Sequence, residues 1–167
     1  MKRTAELGFL LAVALILSYV ESLIPFSFGI PGIKLGLPNA VVLLLLYDHH
    51  GFREAALVNV LRIVLSGFMF SNLYTILYAL AGGALSLAAM VIGKKLGFFS
   101  PVGVSVLGGV FHNIGQITVA MLVVETYAVS SYLPVLIASG TLTGALLGIV
   151  VMEMLPYLQQ YRKVQES

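Results

Sequence analysis

The chain contains no cysteine, which excludes disulfides, thiolate catalysis and cysteine-based metal sites. Its single aspartate is Asp48. Condensation of isoprenyl diphosphates uses paired aspartates around Mg²⁺, a cation that favours carboxylates together with substrate phosphates, so that chemistry is not encoded. No G-x-x-x-x-G-K-[ST] phosphate loop occurs, and ATP hydrolysis by that route is excluded. Neither a Ser–His–Asp set nor paired carboxylates point to hydrolysis. Charge is scarce as well, with Asp, Glu, Lys and Arg together at 10% against about 25% in a soluble domain.

What fills the chain instead is apolar. Hydrophobic residues make up 59%, above the roughly 45–50% of soluble domains, and the mean hydropathy is +1.02. Too little polar surface remains for a soluble fold, so the composition predicts an integral membrane protein surrounded by lipid. The 167 residues fit a single transmembrane domain, residues 1–167. Neither a cofactor nor a nucleic-acid partner is expected.

Six helical segments are predicted: Thr4–Ile24, about Leu37–Tyr47, about Glu54–Phe68, Leu73–Gly93, Val102–Glu125 and Tyr132–Tyr157. The first lacks an A-x-A cleavage site before Glu21 and is followed by further spans, so it reads as a retained helix rather than a signal peptide. The first, fourth, fifth and sixth reach the roughly 20 residues a crossing needs. The second and third are short and need help from flanking loops, a thinned bilayer or neighbouring helices. The expected architecture is an all-α integral membrane protein, a six-transmembrane-helix bundle.

With six crossings and the N-terminus inside, the cytoplasmic side receives Lys2, Arg3, Arg53, Lys94, Lys95, Arg162 and Lys163. Lys34 lands outside and Arg62 within a span. Both termini and both inner loops obey the positive-inside rule, which places N- and C-termini in the cytoplasm of a multi-pass protein of the cell membrane.

Between the first two spans runs PFSFGIPGIKLGLPN, Pro25–Asn39. Pro25, Pro31 and Pro38 withhold backbone donors, while Gly29, Gly32 and Gly36 permit tight turns. Its apolar residues argue against a solvated loop. The expectation is a structured cap over the outer end of the bundle, because irregular backbone at that depth needs protein or water against it.

Polar side chains are rare enough in the spans to stand out: Glu21, Asn39, Arg62, His112, Asn113 and Gln116. Charges at the bilayer centre cost about 2.5–3.5 kcal/mol on insertion scales, so such residues face a bundle interior or a watery cavity. In GGVFHNIGQITVAML, Gly108–Leu122, His112 and Gln116 stand four apart and Asn113 and Gln116 three apart. They make one broad polar wedge on a helix, flanked by Gly108, Gly109 and Gly115. Two readings stay open: hydrogen-bonded glue between helices, or the lining of a ligand cavity to which Lys34, Asn39 and Arg62 also contribute. Arg62 either pairs with Glu21 or holds an anionic ligand group. Asp48, His49 and His50 on the turn after the second span read as a solvated turn rather than a metal site. Gly8 and Ala12, four apart on the first span, offer a small-residue face for a partner helix or for internal packing.

Two of these stretches carry a resemblance. GIPGIKLGLPN after the first helix and GGVFHNIGQ in the fifth resemble the Gx transporters, a small membrane family also called heptaprenyl diphosphate synthase component I, over about Glu6 to Leu158. That family is in turn similar to the substrate-binding S components of energy-coupling factor (ECF) transporters. The resemblance implies six membrane helices, a vitamin- or cofactor-like small-molecule ligand bound near the outer face, and a transmembrane coupling protein with ATPase subunits as partners. It sets Gly8 and Ala12 where such proteins touch the coupling protein. The family's other name implies a non-catalytic accessory of heptaprenyl diphosphate or menaquinone biosynthesis. A subunit of a membrane redox complex is a third reading.

Overall fold

The computed structural model describes residues 2–23, 36–48, 50–125 and 127–166. Their regular structure is helical throughout: α1 Lys2–Leu23, α2 Asn39–Tyr47, α3 Phe52–Phe70, α4 Leu73–Leu96, α5 Pro101–Val124 and α6 Leu133–Glu166, with a 3₁₀ segment Tyr127–Tyr132 ahead of α6. Local chemistry explains several boundaries. The Asn72 side chain caps α4 by accepting the Thr75 N–H at 2.9 Å, satisfying one of the first-turn donors. Gly97, at φ 76°, turns the chain out of α4 in the left-handed conformation that costs glycine least. Ser100 caps α5, and Pro101 sits in its first turn, where its missing N–H costs no helix bond.

Among the described residues four helices, α1, α4, α5 and α6, are long and apolar enough to cross a bilayer, where six crossings were expected. The difference lies in the two short segments. Helix α2 has 9 residues, about 13 Å at 1.5 Å per residue, against a hydrocarbon core of about 30 Å. Helix α3 has 19, but Arg53, Glu54 and Arg62 lower its hydropathy. The apolar run of α2 has another explanation. Val41 to Leu46 are all buried, and the helix touches each of the other five. A helix that is apolar on every side belongs in a core. Leu43 and Leu45 anchor it, with Val58, Leu87, Val104 and Val151 packed around them.

Around this peg the other helices alternate in direction. Gly67 meets Ile76 and Gly83 meets Asn59, which sets α3 antiparallel to α4. Helices α4, α5 and α6 then pack through glycine. A Cβ on Gly115 would lie 2.8 Å from the Ala81 carbonyl of α4, and one on Gly109 would lie 2.3 Å from the Gly140 carbonyl of α6. Further along α6, Gly144 and Gly148 lie equally close to Ser105 and Val102. The spacing of four keeps all three α6 glycines on one face. Helix α1 runs parallel to α3, joined by the Arg3–Glu54 ion pair at one end and by Tyr19 against Phe70, ring centroids 5.2 Å apart, at the other.

The end that carries Arg3 and Lys94 is tightly tied. Arg3 donates to the His50 carbonyl at 3.3 Å, and Lys94 donates to the Leu46 carbonyl. The turn expected to be solvated is not: His50 is 4% exposed, with Nδ1 2.9 Å from Asp48 Oδ2 and Nε2 3.4 Å from Glu6 Oε2. His50 thereby links the α2–α3 turn to α1. His49, Ile24 at the end of the predicted first span, and most of the predicted cap, residues 25–35, lie outside the described residues.

The glycine contacts make a stability prediction. Gly140→Ala drives a methyl into backbone and should destabilise the bundle by about 1–3 kcal/mol, the usual cost of overpacking. Gly8→Ala, where a Cβ meets nothing within 4 Å, should leave stability unchanged. Unfolding in bicelles measures both, and equal stability of the two variants would contradict the close α5–α6 contact.

Candidate functional site

A cavity of about 290 Å³ opens among five helices and the turn before α2. It lies toward the end opposite the Arg3–Glu54 pair. Helix α1 contributes Ser18 and Glu21, and the turn and α2 contribute Gly36 and Asn39. Helix α3 brings Arg62, Ser66 and Phe70, α4 brings Thr75 and Ile76, and α5 brings His112 and Gln116.

Arg62 is the centre of its polar network. It is buried, and its Nη2 donates to Asn59 Oδ1 at 2.7 Å and to Asn39 Oδ1 at 3.3 Å. Asn59 in turn donates Nδ2 to the Gly83 carbonyl at 3.2 Å, so an amide pinned to α4 holds the guanidinium in place. Glycine at position 83 leaves room for this contact, since a Cβ there would lie 2.6 Å from Ile63 Cδ1 and 3.0 Å from the Asn59 Nδ2. Arg62 Nε is buried and has no hydrogen-bond partner. Glu21 accepts the backbone N–H of Gly36, whose φ of 72° again requires glycine. Arg62 and Glu21 therefore share one cavity, but among the described residues no hydrogen bond joins them.

His112 and Gln116 stand one turn apart on α5, beside Gly82 of α4. A Cβ on Gly82 would lie 2.7 Å from the His112 carbonyl and 2.8 Å from Gln116 Cγ. Asn113, the third member of the expected wedge, turns away from the cavity. Its Nδ2 donates to the Leu136 carbonyl of α6 at 2.7 Å. Consecutive helical positions differ by about 100°, which is enough to send His112 to α4 and Asn113 to α6. The flanking glycines also serve helix contacts rather than a ligand: Gly108 abuts Met90, Gly109 abuts α6 and Gly115 abuts α4.

Of the residues singled out in the sequence, Asn39, Arg62, His112 and Gln116 line this one cavity, and Asn113 does not. Lys34 lies outside the described residues. Gly8 and Ala12 are on an exposed stretch of α1, away from the cavity. Asn59 escaped notice although it is 4% exposed. Its signal was available: an amide one helical turn before the intramembrane arginine, in NVLR. Among the described residues no group of three His, Asp or Glu side chains gathers to hold a metal.

These features define a class: a helical membrane protein with a polar, arginine-centred cavity inside its bundle. The chain belongs to the heptaprenyl diphosphate synthase component I family, whose sequence pattern matches residues 10–154. Neither a curated protein nor a solved structure matches it.

Two substitutions separate the roles of the amides. Asn113→Ala should cost about 0.6 kcal/mol and no more than about 1.7, the range for interhelical hydrogen bonds in membranes. Asn59→Leu should cost more, about 1.5–3 kcal/mol, because it removes a hydrogen bond to a charged group. Reversible unfolding in bicelles gives both values, and equal costs would contradict the pinning of Arg62 by Asn59.

Proposed function

We propose that this protein binds a small polar molecule in the Arg62 cavity and delivers it across the membrane as the substrate-binding component of an ECF-type importer. The observation that carries the reading is Arg62 itself. A guanidinium at that depth is expensive, and here it borders an open volume of about 290 Å³ together with Asn39, His112 and Gln116. An arginine needed only to hold helices together would be enclosed by its partners, leaving no ligand-sized space beside it.

The proposed topology has six crossings with both termini in the cytoplasm. Helix α3, about 28 Å long at 1.5 Å per residue, crosses in spite of its charges because Arg62 faces the bundle interior. Helix α2 crosses with the help of the segment before it and the turn after it, shielded from lipid by its neighbours. The cavity then opens toward the outer face, and the basic residues at the other end face the cytoplasm. The exposed Gly8–Ala12 stretch of α1 is where a transmembrane coupling protein, itself served by ATPase subunits, would dock.

The family's description favours a second reading, a non-catalytic accessory of heptaprenyl diphosphate synthesis, and the same cavity would serve it by holding a polar headgroup. Purification from the native membrane separates the two. Import predicts a co-purifying coupling protein with ATPases and a water-soluble small molecule visible by native mass spectrometry. Stimulation of a prenyl synthase, with a lipid-linked adduct, would favour the accessory role.

Two outcomes are expected. Gln116→Ala should weaken retention of the co-purified molecule, since a lost buried hydrogen bond costs about 1–3 kcal/mol, or roughly 5- to 150-fold in affinity. Unchanged retention with reduced stability would instead make Gln116 a packing residue. Cysteines placed at Ser71 and Gln165 should label from opposite sides of the membrane, and labelling of both from outside would overturn the topology.

A further inference from the structure

We propose that the cavity takes an uncharged planar heterocycle with a lactam or imide edge, read jointly by the Gln116 amide and the Arg62 guanidinium. This rests on the binding function above and names the class of ligand. Gln116 is 8% exposed and lines the cavity, yet among the described residues its amide makes no hydrogen bond. Arg62 Nε is likewise a buried donor without an acceptor. Buried polar groups are normally partnered. Two that lack partners on the wall of one open volume call for a ligand that supplies them.

The two groups stand at one level of the bundle. Helix α4 lies between α3 and α5 and turns consecutive glycines toward them. A Cβ on Gly82 would lie 2.8 Å from Gln116 Cγ, and the Gly83 carbonyl accepts the Asn59 amide that holds Arg62. Ile63, Ile76 and Ala79 add apolar wall to the same cavity. A flat ring lies against that wall and presents its edge to the polar groups, the usual division of labour in a ligand pocket. The cavity of about 290 Å³ is at the lower end of the roughly 300–1,000 Å³ of such pockets, which suits one ring or two fused rings.

The balance of donors and acceptors selects the edge. A carboxamide is donor and acceptor at once, so Gln116 pairs best with an N–H that has an acceptor beside it. Glutamine reads the edge of adenine through the same kind of double contact. Arg62 Nε then takes a second acceptor on the ring. The hydroxyls of the lining favour the same ligand. Ser18 donates to the Ala14 carbonyl at 2.9 Å, Ser66 to the Ile63 carbonyl at 3.3 Å and Thr75 to Asn72 Oδ1 at 3.0 Å. Each hydroxyl has one proton to give, so these three offer the cavity lone pairs and accept further N–H groups. A carboxylate would answer Arg62 Nε but leave the Gln116 oxygen and the hydroxyl oxygens facing more oxygen. An alkylamine would leave Arg62 Nε without an acceptor.

The test is thermal unfolding of the full-length protein in detergent with three probe sets at equal concentration: 1-methyluracil, cytosine and hypoxanthine; benzoate and short monocarboxylates; and primary alkylamines. A member of the first set should raise the Tm, as any ligand that binds only the folded state does, while the other two sets leave it unchanged. Methylating the edge nitrogen of that member should weaken its binding to the unmutated protein about 5- to 150-fold, the effect of one lost buried hydrogen bond. Gln116→Met keeps the length of the side chain without its amide, so it should bind the parent and the N-methyl derivative equally weakly. A preference for the parent that persists in Gln116→Met would overturn the assignment of the edge to Gln116. A Tm shift with carboxylates or alkylamines instead would overturn the heterocycle and leave the binding function standing. If no probe shifts the Tm, the heterocycle is refuted; a retained molecule without such an edge would then keep the binding function, and the absence of any retained molecule would sink both.

Discussion

The closeness of α5 to its two neighbours is the constraint on which the rest of the structure depends. In lipid there is little hydrophobic gain from joining two apolar helices, so association relies on close packing and on the polar contacts it allows. Glycine supplies the closeness here. Gly115 lets α5 touch the α4 backbone, and Gly109 with Gly140 lets it touch α6. Once those distances are set, the Asn113 side chain reaches the Leu136 carbonyl. His112 and Gln116 are held beside Gly82 at the edge of the cavity.

The other half of the bundle is built on a different principle. Helix α2 is a short apolar peg, and α1 covers it with Ala14, its one fully buried apolar residue among those described, and with the half-buried Leu7, Leu10, Leu11 and Leu17. Here polar contacts take over from glycine. The Arg62–Asn59–Gly83 chain joins α3 to α4, and Glu21 with Gly36 joins α1 to the turn before α2. The cavity lies where these two halves meet, with α4 and α5 on one side and α1, α3 and the turn before α2 on the other.

Much of this was legible in the sequence, and the parts that were not have physical reasons. The helices α1, α4, α5 and α6 follow from predominantly apolar runs of about 20 residues. Helix α2 was legible as an apolar helix but its enclosure by the other five was not, because an all-apolar run looks the same whether lipid or protein surrounds it. Arg62, His112, Gln116 and Asn39 were visible as polar residues in apolar surroundings. The separation of Asn113 from His112 was not, because residue type does not say which neighbour each side of a helix will meet. Asn59 stands alone among apolar neighbours on α3, and only its place one turn before Arg62 marks it, because an arginine at depth needs an amide or carboxylate close by. The burial of His50 depended on α1 arriving with Glu6 beside its turn, a tertiary event with no local signature.

The central claim is that α3 borders a watery, ligand-accessible space on one side and lipid on the other. The chain has no native cysteine, so single cysteines at the adjacent positions Ser66, on the cavity wall, and Leu65, on the outer face, test it directly. In proteoliposomes a small water-soluble thiol reagent should modify Ser66→Cys and leave Leu65→Cys unreacted. Inertness at both positions, or equal reaction at both, would contradict the account.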